Sequence, residues 1–166
     1  MSNSTNVLLI EDSPVQAEMI LKMLESDSDR TVLLVSELAD GLARLDEGGI
    51  DVVLADLGLP DSEGLETVTR LRARAPEIPI VVLTGLDDED VATTALQQGA
   101  QDYLIKAEVD ANWLTRSLRY AVTRHKLRRV AGTCQEPVAQ SVEPVESALG
   151  VFLQVEKTGG TCAEGY

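Results

Sequence analysis

Five short aliphatic and β-branched runs, Val7 to Ile10, Thr31 to Val35, Val52 to Ala55, Ile80 to Leu83 and Tyr103 to Ile105, recur along the chain with an amphipathic stretch after each. The runs show no strict in-out alternation, which is how strands covered on both faces read. Between and after them, apolar residues stand three and four apart: Val15, Met19 and Met23; Leu38, Leu42 and Leu45; Leu65, Val68 and Leu71; Val91, Ala95 and Leu96; Leu114, Leu118, Ala121 and Val122. That spacing puts one apolar stripe on a helix. Strands alternating with helices require a parallel sheet with right-handed crossovers and helices on both faces, a doubly wound α/β domain.

Two helix starts are marked chemically. Ser13-Pro14-Val15-Gln16 offers an N-cap serine, a proline at the first helical position and a glutamine at the third, the pattern of a capping box. Asp87-Asp88-Glu89-Asp90 gathers acids where a helix dipole favours them. From Ala131 onward the pattern fails, since Gly, Pro, Thr, Gln and Glu interrupt every apolar run and only Leu149 to Val155 could form a short element. The domain is therefore expected over residues 5 to 127. Residues 128 to 166 are expected to form a largely disordered tail, too short for an independent core or an output domain.

The chain carries 28 Asp and Glu against 14 Lys and Arg, a net charge of -14 over 166 residues. Such a surface is repelled by phosphate backbones and anionic lipid, which argues against nucleic acid and membrane as partners. The balance is uneven: Arg116, Arg119, Arg124, Lys126, Arg128 and Arg129 form an acid-free stretch that is either a solvated helix terminus or a recognition patch. Met1 to Asn6 lacks the basic and apolar regions of a signal peptide, and no apolar run approaches the ~18 residues that span a bilayer. The two cysteines, Cys134 and Cys162, both lie outside the patterned region, so no disulfide or Cys-based metal site supports the core. A cytoplasmic setting is the expectation.

In a doubly wound sheet, chemistry gathers beyond the C-terminal ends of the strands. Those ends carry Glu11 and Asp12, Asp56, Thr84 and Gly85, and Lys106. Each has a simpler reading taken singly: Asp12 could favour a helix start, Lys106 could be a solvated lysine, and Thr84 a β-branched strand end. Asp56 resists it, because it follows Val52-Val53-Leu54-Ala55, where a lone charge is costly to bury. Three carboxylates converging on one edge repel each other unless a cation sits among them. With oxygen donors and neither His nor Cys nearby, Mg²⁺ fits better than a softer metal. Asp56 could then act as a nucleophile toward a phosphoryl group, with Lys106 and Thr84 pairing with its oxygens and Gly85 keeping the approach open.

The motifs Leu8-Leu9-Ile10-Glu11-Asp12-Ser13, Asp56-Leu57-Gly58-Leu59-Pro60-Asp61 with Gly64, Val81-Val82-Leu83-Thr84-Gly85, and Gly99-Ala100-Gln101-Asp102-Tyr103-Leu104-Ile105-Lys106 together resemble the receiver domains of two-component response regulators, here of single-domain type. The resemblance implies a flavodoxin-like sheet of order 2-1-3-4-5. It also implies phosphotransfer to Asp56 from a sensor histidine kinase or a histidine phosphotransfer protein, with the domain a signalling phosphoacceptor rather than an enzyme acting on external substrates. It makes Asp12, Asp56 and the carbonyl of Gly58 direct Mg²⁺ ligands, with Glu11 acting through water. Thr84 and Tyr103 become the switch pair, and the signal appears on the fourth helix, fifth strand and fifth helix, read by a downstream protein or by a second copy in a homodimer. In this family the residue two after the phosphoacceptor positions or blocks the hydrolytic water, and Gly58 has no side chain to do either.

One departure is Lys106-Ala107, where the family usually has Lys-Pro joined in a cis bond. Before a non-proline residue the cis form costs ~3 kcal/mol, so a trans bond is expected here. Two other readings lack a residue they need. A haloacid-dehalogenase-like phosphatase needs a second Asp where Gly58 stands, and a nucleotide-binding domain needs a glycine-rich turn where the chain has Glu11-Asp12-Ser13-Pro14. A receiver module acting as shuttle or sink in a larger phosphorelay stays compatible with these residues.

Overall fold

All five apolar runs become strands, and two further strands of two residues each form a small hairpin after the third run. A computed structural model of the chain describes residues 4–25, 28–85 and 89–131. In chain order the elements are β1 (Thr5–Ile10), α1 (Pro14–Leu24), β2 (Arg30–Val35), α2 (Leu38–Glu47), β3 (Val52–Asp56), β4 (Gly58–Leu59), β5 (Ser62–Glu63), α3 (Glu66–Arg74), β6 (Ile80–Thr84), α4 (Glu89–Gln97), β7 (Asp102–Ile105) and α5 (Ala111–Val130). The five longer strands form one parallel sheet of order β2-β1-β3-β6-β7. Once the small hairpin is set aside, this is the expected 2-1-3-4-5 arrangement.

Alternate residues of each strand feed opposite cores. Leu8, Ile10, Val53, Ala55 and Val82 face α2, α3 and α4, where Leu38, Leu45, Val68, Leu71 and Ala95 meet them. Val7, Leu9, Leu54, Val81, Leu83 and Leu104 face α1 and α5, against Ile20, Leu24, Leu114, Leu118 and Ala121. With both faces covered, an alternating polar pattern would bury unpaired groups, and this is why the strands read as continuous apolar runs. Each fully buried Leu or Ile contributes about 1.5–3 kcal/mol relative to exposure.

The chain runs from β1 outward to β2, returns through β3 and continues the other way to β6 and β7. The reversal between β1 and β3 leaves a crevice at their C-terminal ends, where the connections diverge to opposite faces.

The caps correct one expectation and add a contact that was not foreseen. Ser13 caps α1, its Oγ accepting from the Gln16 N–H at 3.5 Å, but the reciprocal half of the capping box is not formed. The Ser13 N–H instead donates to Glu11 Oε1 at 3.2 Å, which leaves the Gln16 side chain for another partner. At α2 the N-cap Glu37 makes no side-chain cap, and Asp61, in the turn between β4 and β5, supplies it: its two oxygens accept from the N–H groups of Leu38 and Ala39 at 2.8 Å each. Gly64, at φ 58, closes that turn by donating its N–H to Leu57 O at 2.8 Å, a conformation that disfavours side chains.

The helix α5 is longer than the domain boundary at residue 127 allowed. It continues to Val130, so residues 128–130 belong to a helix and not to a tail, and the Ala131 N–H closes it on Leu127 O at 2.9 Å. The tail from residue 132, with its candidate segment Leu149 to Val155 and both cysteines, lies outside the described residues. So do Asp87 and Asp88 of the acidic run before α4. Among the described residues no helix is long and apolar enough to cross a membrane.

Candidate functional site

The last residue of β3 is Asp56, on the side of the sheet that faces α1 and α5, since Val52 and Leu54, four and two positions earlier, lie in that core. Two residues past Leu9 of β1 comes Glu11, and two past Leu104 of β7 comes Lys106, so strand periodicity sends all three side chains toward one place. They meet there. The Lys106 ammonium lies 2.6 Å from Glu11 Oε2 and 3.0 Å from Asp56 Oδ2, and it also hydrogen-bonds Gln16 Oε1 on α1. The side chain of Glu11 is only 1% exposed, that of Lys106 9% and that of Asp56 11%.

Local hydrogen bonds fix each group. Asp56 Oδ1 accepts from the Leu57 N–H at 2.8 Å, which turns Oδ2 toward the crevice. The backbone N–H of Lys106 donates to Thr84 O at 2.8 Å, extending the β6–β7 pairing one residue past the strand and setting where the lysine leaves the sheet. No cis peptide bond occurs among the described residues, so the Lys106–Ala107 bond is trans, as the missing proline led us to expect, and the lysine reaches the site nonetheless.

Asp12 is exposed at the rim, and the carboxylate oxygens of Glu11, Asp12 and Asp56 come within 4.8 Å of one another. Four carboxylates, those of Glu11, Asp12, Asp56 and Glu63, against the one ammonium of Lys106 leave a formal charge of -3 on the lining of a crevice of about 650 Å³. Glu11 Oε2 is buried and makes no aligned hydrogen bond; its contact with Lys106 is an ion pair alone. A buried carboxylate oxygen short of a directional partner, in an all-oxygen set, is what a small divalent cation would satisfy.

Thr84 ends β6 with 2% exposure, on the opposite parity from Asp56. Tyr103 of β7 pairs with Val82 and shares that face, half-buried against the core under α4, so the two switch candidates are neighbours on the sheet. Gly85 is exposed, and a side chain there would meet nothing within 4 Å. Gly58 opens β4 beside the site, where a Cβ would stand 3.7 Å from Asp56 Oδ2 and touch nothing else.

Glu11, Asp12, Asp56, Gly58, Thr84, Gly85 and Lys106 thus line this crevice, Tyr103 lies back in β7 away from it, and two lining residues were not singled out for it. Gln16 was assigned to helix capping; the signal that could have found it is its place at the third helical position, whose side chain leans back toward the helix N-terminus and the strand ends. Glu63 also lines the crevice, placed opposite Gly58 in the hairpin register.

The family model for the response regulator receiver domain matches residues 7–119 of this chain. The chain belongs to that family. A receiver domain from Clostridium thermocellum superposes with a TM-score of 0.67 at 32% identity, covering 74% of this chain and 98% of that one. The KDP operon transcriptional regulatory protein KdpE of Escherichia coli is 34% identical over 136 residues, 82% of this chain and 57% of KdpE. The swarming motility regulation protein RssB of Serratia marcescens is 36% identical over 101 residues, 61% of this chain and 46% of RssB. The chain thus spans about half the length of the curated relatives it matches.

Receiver domains are signalling phosphoacceptors of two-component systems that work with sensor kinases, and they bind Mg²⁺ at an acidic pocket. In this receiver the acidic group is Glu11, Asp12 and Asp56.

Proposed function

We propose that this receiver accepts a phosphoryl group on Asp56, in a Mg²⁺-dependent step, from the phosphohistidine of a sensor histidine kinase or histidine phosphotransfer protein. The observation that carries the reading is the buried Asp56 Oδ2 facing Lys106 at 3.0 Å beside two further carboxylates. Asp12, Asp56 and the carbonyl of Gly58 would hold the ion, with Glu11 acting through water. When bound, Mg²⁺ offsets the carboxylate charge and that of the phosphoryl oxygens.

The residues do the rest. Asp56 attacks phosphorus with one carboxylate oxygen, forming an O–P bond as the donor's N–P bond breaks, and the imidazole leaves with that electron pair and takes up a proton. Lys106 pairs as a point charge with one phosphoryl oxygen and the Thr84 hydroxyl donates to another. Movement of Thr84 frees space on the face it shares with Tyr103, whose inward turn changes the surface of α4, β7 and α5.

That surface is where the signal leaves, to a downstream protein or a second copy of the chain. Trp113, Tyr120 and Leu127 of α5, seven residues apart and 47%, 63% and 63% exposed, form one apolar stripe. Arg116 and Arg124 flank it, opposite in sign to Asp90 at the start of α4. Such a face suits a symmetric pair or one acidic-apolar partner.

The transfer is tested with a kinase labelled on histidine with radioactive phosphate. Label should pass to this receiver as an acid-stable, alkali-labile acyl phosphate and fail to pass to Asp56→Asn. Label that reaches the variant equally would contradict the assignment.

A further inference from the structure

A lysine ammonium has three protons to donate, and in this site three oxygens face it: Glu11 Oε2, Asp56 Oδ2 and Gln16 Oε1. Two of the three belong to carboxylates that a divalent cation would also claim. A cation among Glu11, Asp12 and Asp56 removes most of their attraction for Lys106 and repels the ammonium directly. Gln16 is different. It is neutral, it belongs to α1 and not to the acidic group, and its hold on Lys106 does not weaken when the carboxylates are neutralised.

We propose that Gln16 is a positioning residue that keeps the Lys106 ammonium beside Asp56 when the metal takes over the carboxylates, so that the lysine is in place for the incoming phosphoryl oxygens. The inference rests on the role of Lys106 given above and adds the device that makes it compatible with a bound cation. Three features support it. The Gln16 side chain is released from capping, because the Ser13 N–H is taken by Glu11 Oε1. The backbone beneath it is anchored, with the Gln16 N–H on Ser13 Oγ and with Ala17 and Ile20 of the same helix buried. The bond joins residues 90 positions apart, so it ties α1 to the end of β7 across the mouth of the site.

The test uses Gln16→Met, which matches Gln in length and helix propensity but lacks the acceptor, and Gln16→Glu, which keeps an acceptor at the same reach. Each is measured for Mg²⁺ affinity by calorimetry, for binding of beryllofluoride as an acyl-phosphate mimic, and for phosphorylation rate with acetyl phosphate at saturating Mg²⁺. Gln16→Met should leave Mg²⁺ affinity within about twofold and slow phosphorylation about tenfold, the size of one hydrogen bond to a charged group, with beryllofluoride binding weakened alike. Gln16→Glu keeps the acceptor but adds a charge that the cation would also claim, so it should recover the rate only in part while raising Mg²⁺ affinity. In a Lys106→Met background, Gln16→Met should have no further effect, because the two act as one unit. A Gln16→Met rate equal to that of the unaltered protein, the same loss in the Lys106→Met background, or a matching loss of Mg²⁺ affinity would each overturn the proposal. If Lys106→Met alone is fully active, the role of Lys106 itself fails and the proposal falls with it.

Discussion

The ammonium of Lys106 lies 3.0 Å from Oδ2 of Asp56 although the peptide bond that follows the lysine is trans. What delivers the lysine is the backbone bond from its N–H to Thr84 O, which continues the sheet past β7, and its side chain is then held by oxygens of Glu11 just after β1, Asp56 of β3 and Gln16 of α1. The lysine is also the counter-charge for Glu11 and Asp56 when no metal is bound.

Removing it should therefore destabilise the metal-free protein. Lys106→Ala leaves two nearly buried carboxylates without a counter-charge, a change that costs about 3 kcal/mol in comparable buried pairs. Urea unfolding with and without Mg²⁺ checks this. The loss should be large without the ion and smaller with it, since the ion takes over the neutralisation. Equal losses under both conditions would show that lysine and metal do not compensate the same charge.

The cap that Asp61 provides to α2 makes a second prediction. Asp61→Ala should cost about 1 kcal/mol, as losses of N-caps do, although the residue lies 23 positions away in sequence from Leu38. Slight burial works against ionisation of Asp61, but hydrogen bonds from the Leu38 and Ala39 N–H groups outweigh it and hold the carboxyl below the ordinary value of 3.8, with Arg70 adding a little. A folded-state value below the unfolded one means stability that is present above the unfolded value and lost as pH falls through the folded one. The stability gap between Asp61→Ala and the unaltered protein should thus be full at neutral pH and shrink below pH 3.8. A gap that is constant with pH would show that the charge plays no part.

The strands were legible because burial on both faces leaves only apolar residues, as Val52 to Ala55 shows, whereas their order was implied by the resemblance of the motifs. Asp56, Glu11 and Lys106 were legible for the opposite reason, as charges standing where such runs end. The hairpin was not: with two residues per strand, Gly58–Leu59 and Ser62–Glu63 have no periodicity to show. Gln16 and Asp61 were missed because each bonds a group distant in the chain, at Lys106 and Leu38, while its local surroundings offered a sufficient explanation. The expected domain boundary at residue 127 falls three residues before the end of α5, because the basic run after Val122 carries few apolar residues to extend the stripe.

Position 58 should govern how long the phosphorylated state lasts. Gly58 is not in a left-handed conformation and a Cβ there meets only Asp56 Oδ2 at 3.7 Å, so Gly58→Asn should fold normally. Its side chain would enter the space beside the acyl phosphate, and the rate of phosphate release should change several-fold. An unchanged rate would make the position irrelevant to hydrolysis in this receiver.

Self-association of the activated form should depend on salt. Exposed ion pairs are worth under ~1 kcal/mol each, so the stripe of Trp113, Tyr120 and Leu127 must supply most of the affinity, with the charges of α4 and α5 fixing the register. Sedimentation of the beryllofluoride form at low and high salt should show a dimer that weakens as salt rises and disappears in Tyr120→Glu. A monomer at both salt levels would leave the face to a separate partner.

The most direct test of the account is the intact mass of the protein after incubation with acetyl phosphate. With Mg²⁺ present the chain should gain one phosphoryl group that maps to Asp56, and it should gain none in EDTA or as Asp56→Asn. A gain of equal size in EDTA, or one that persists in Asp56→Asn, would contradict it.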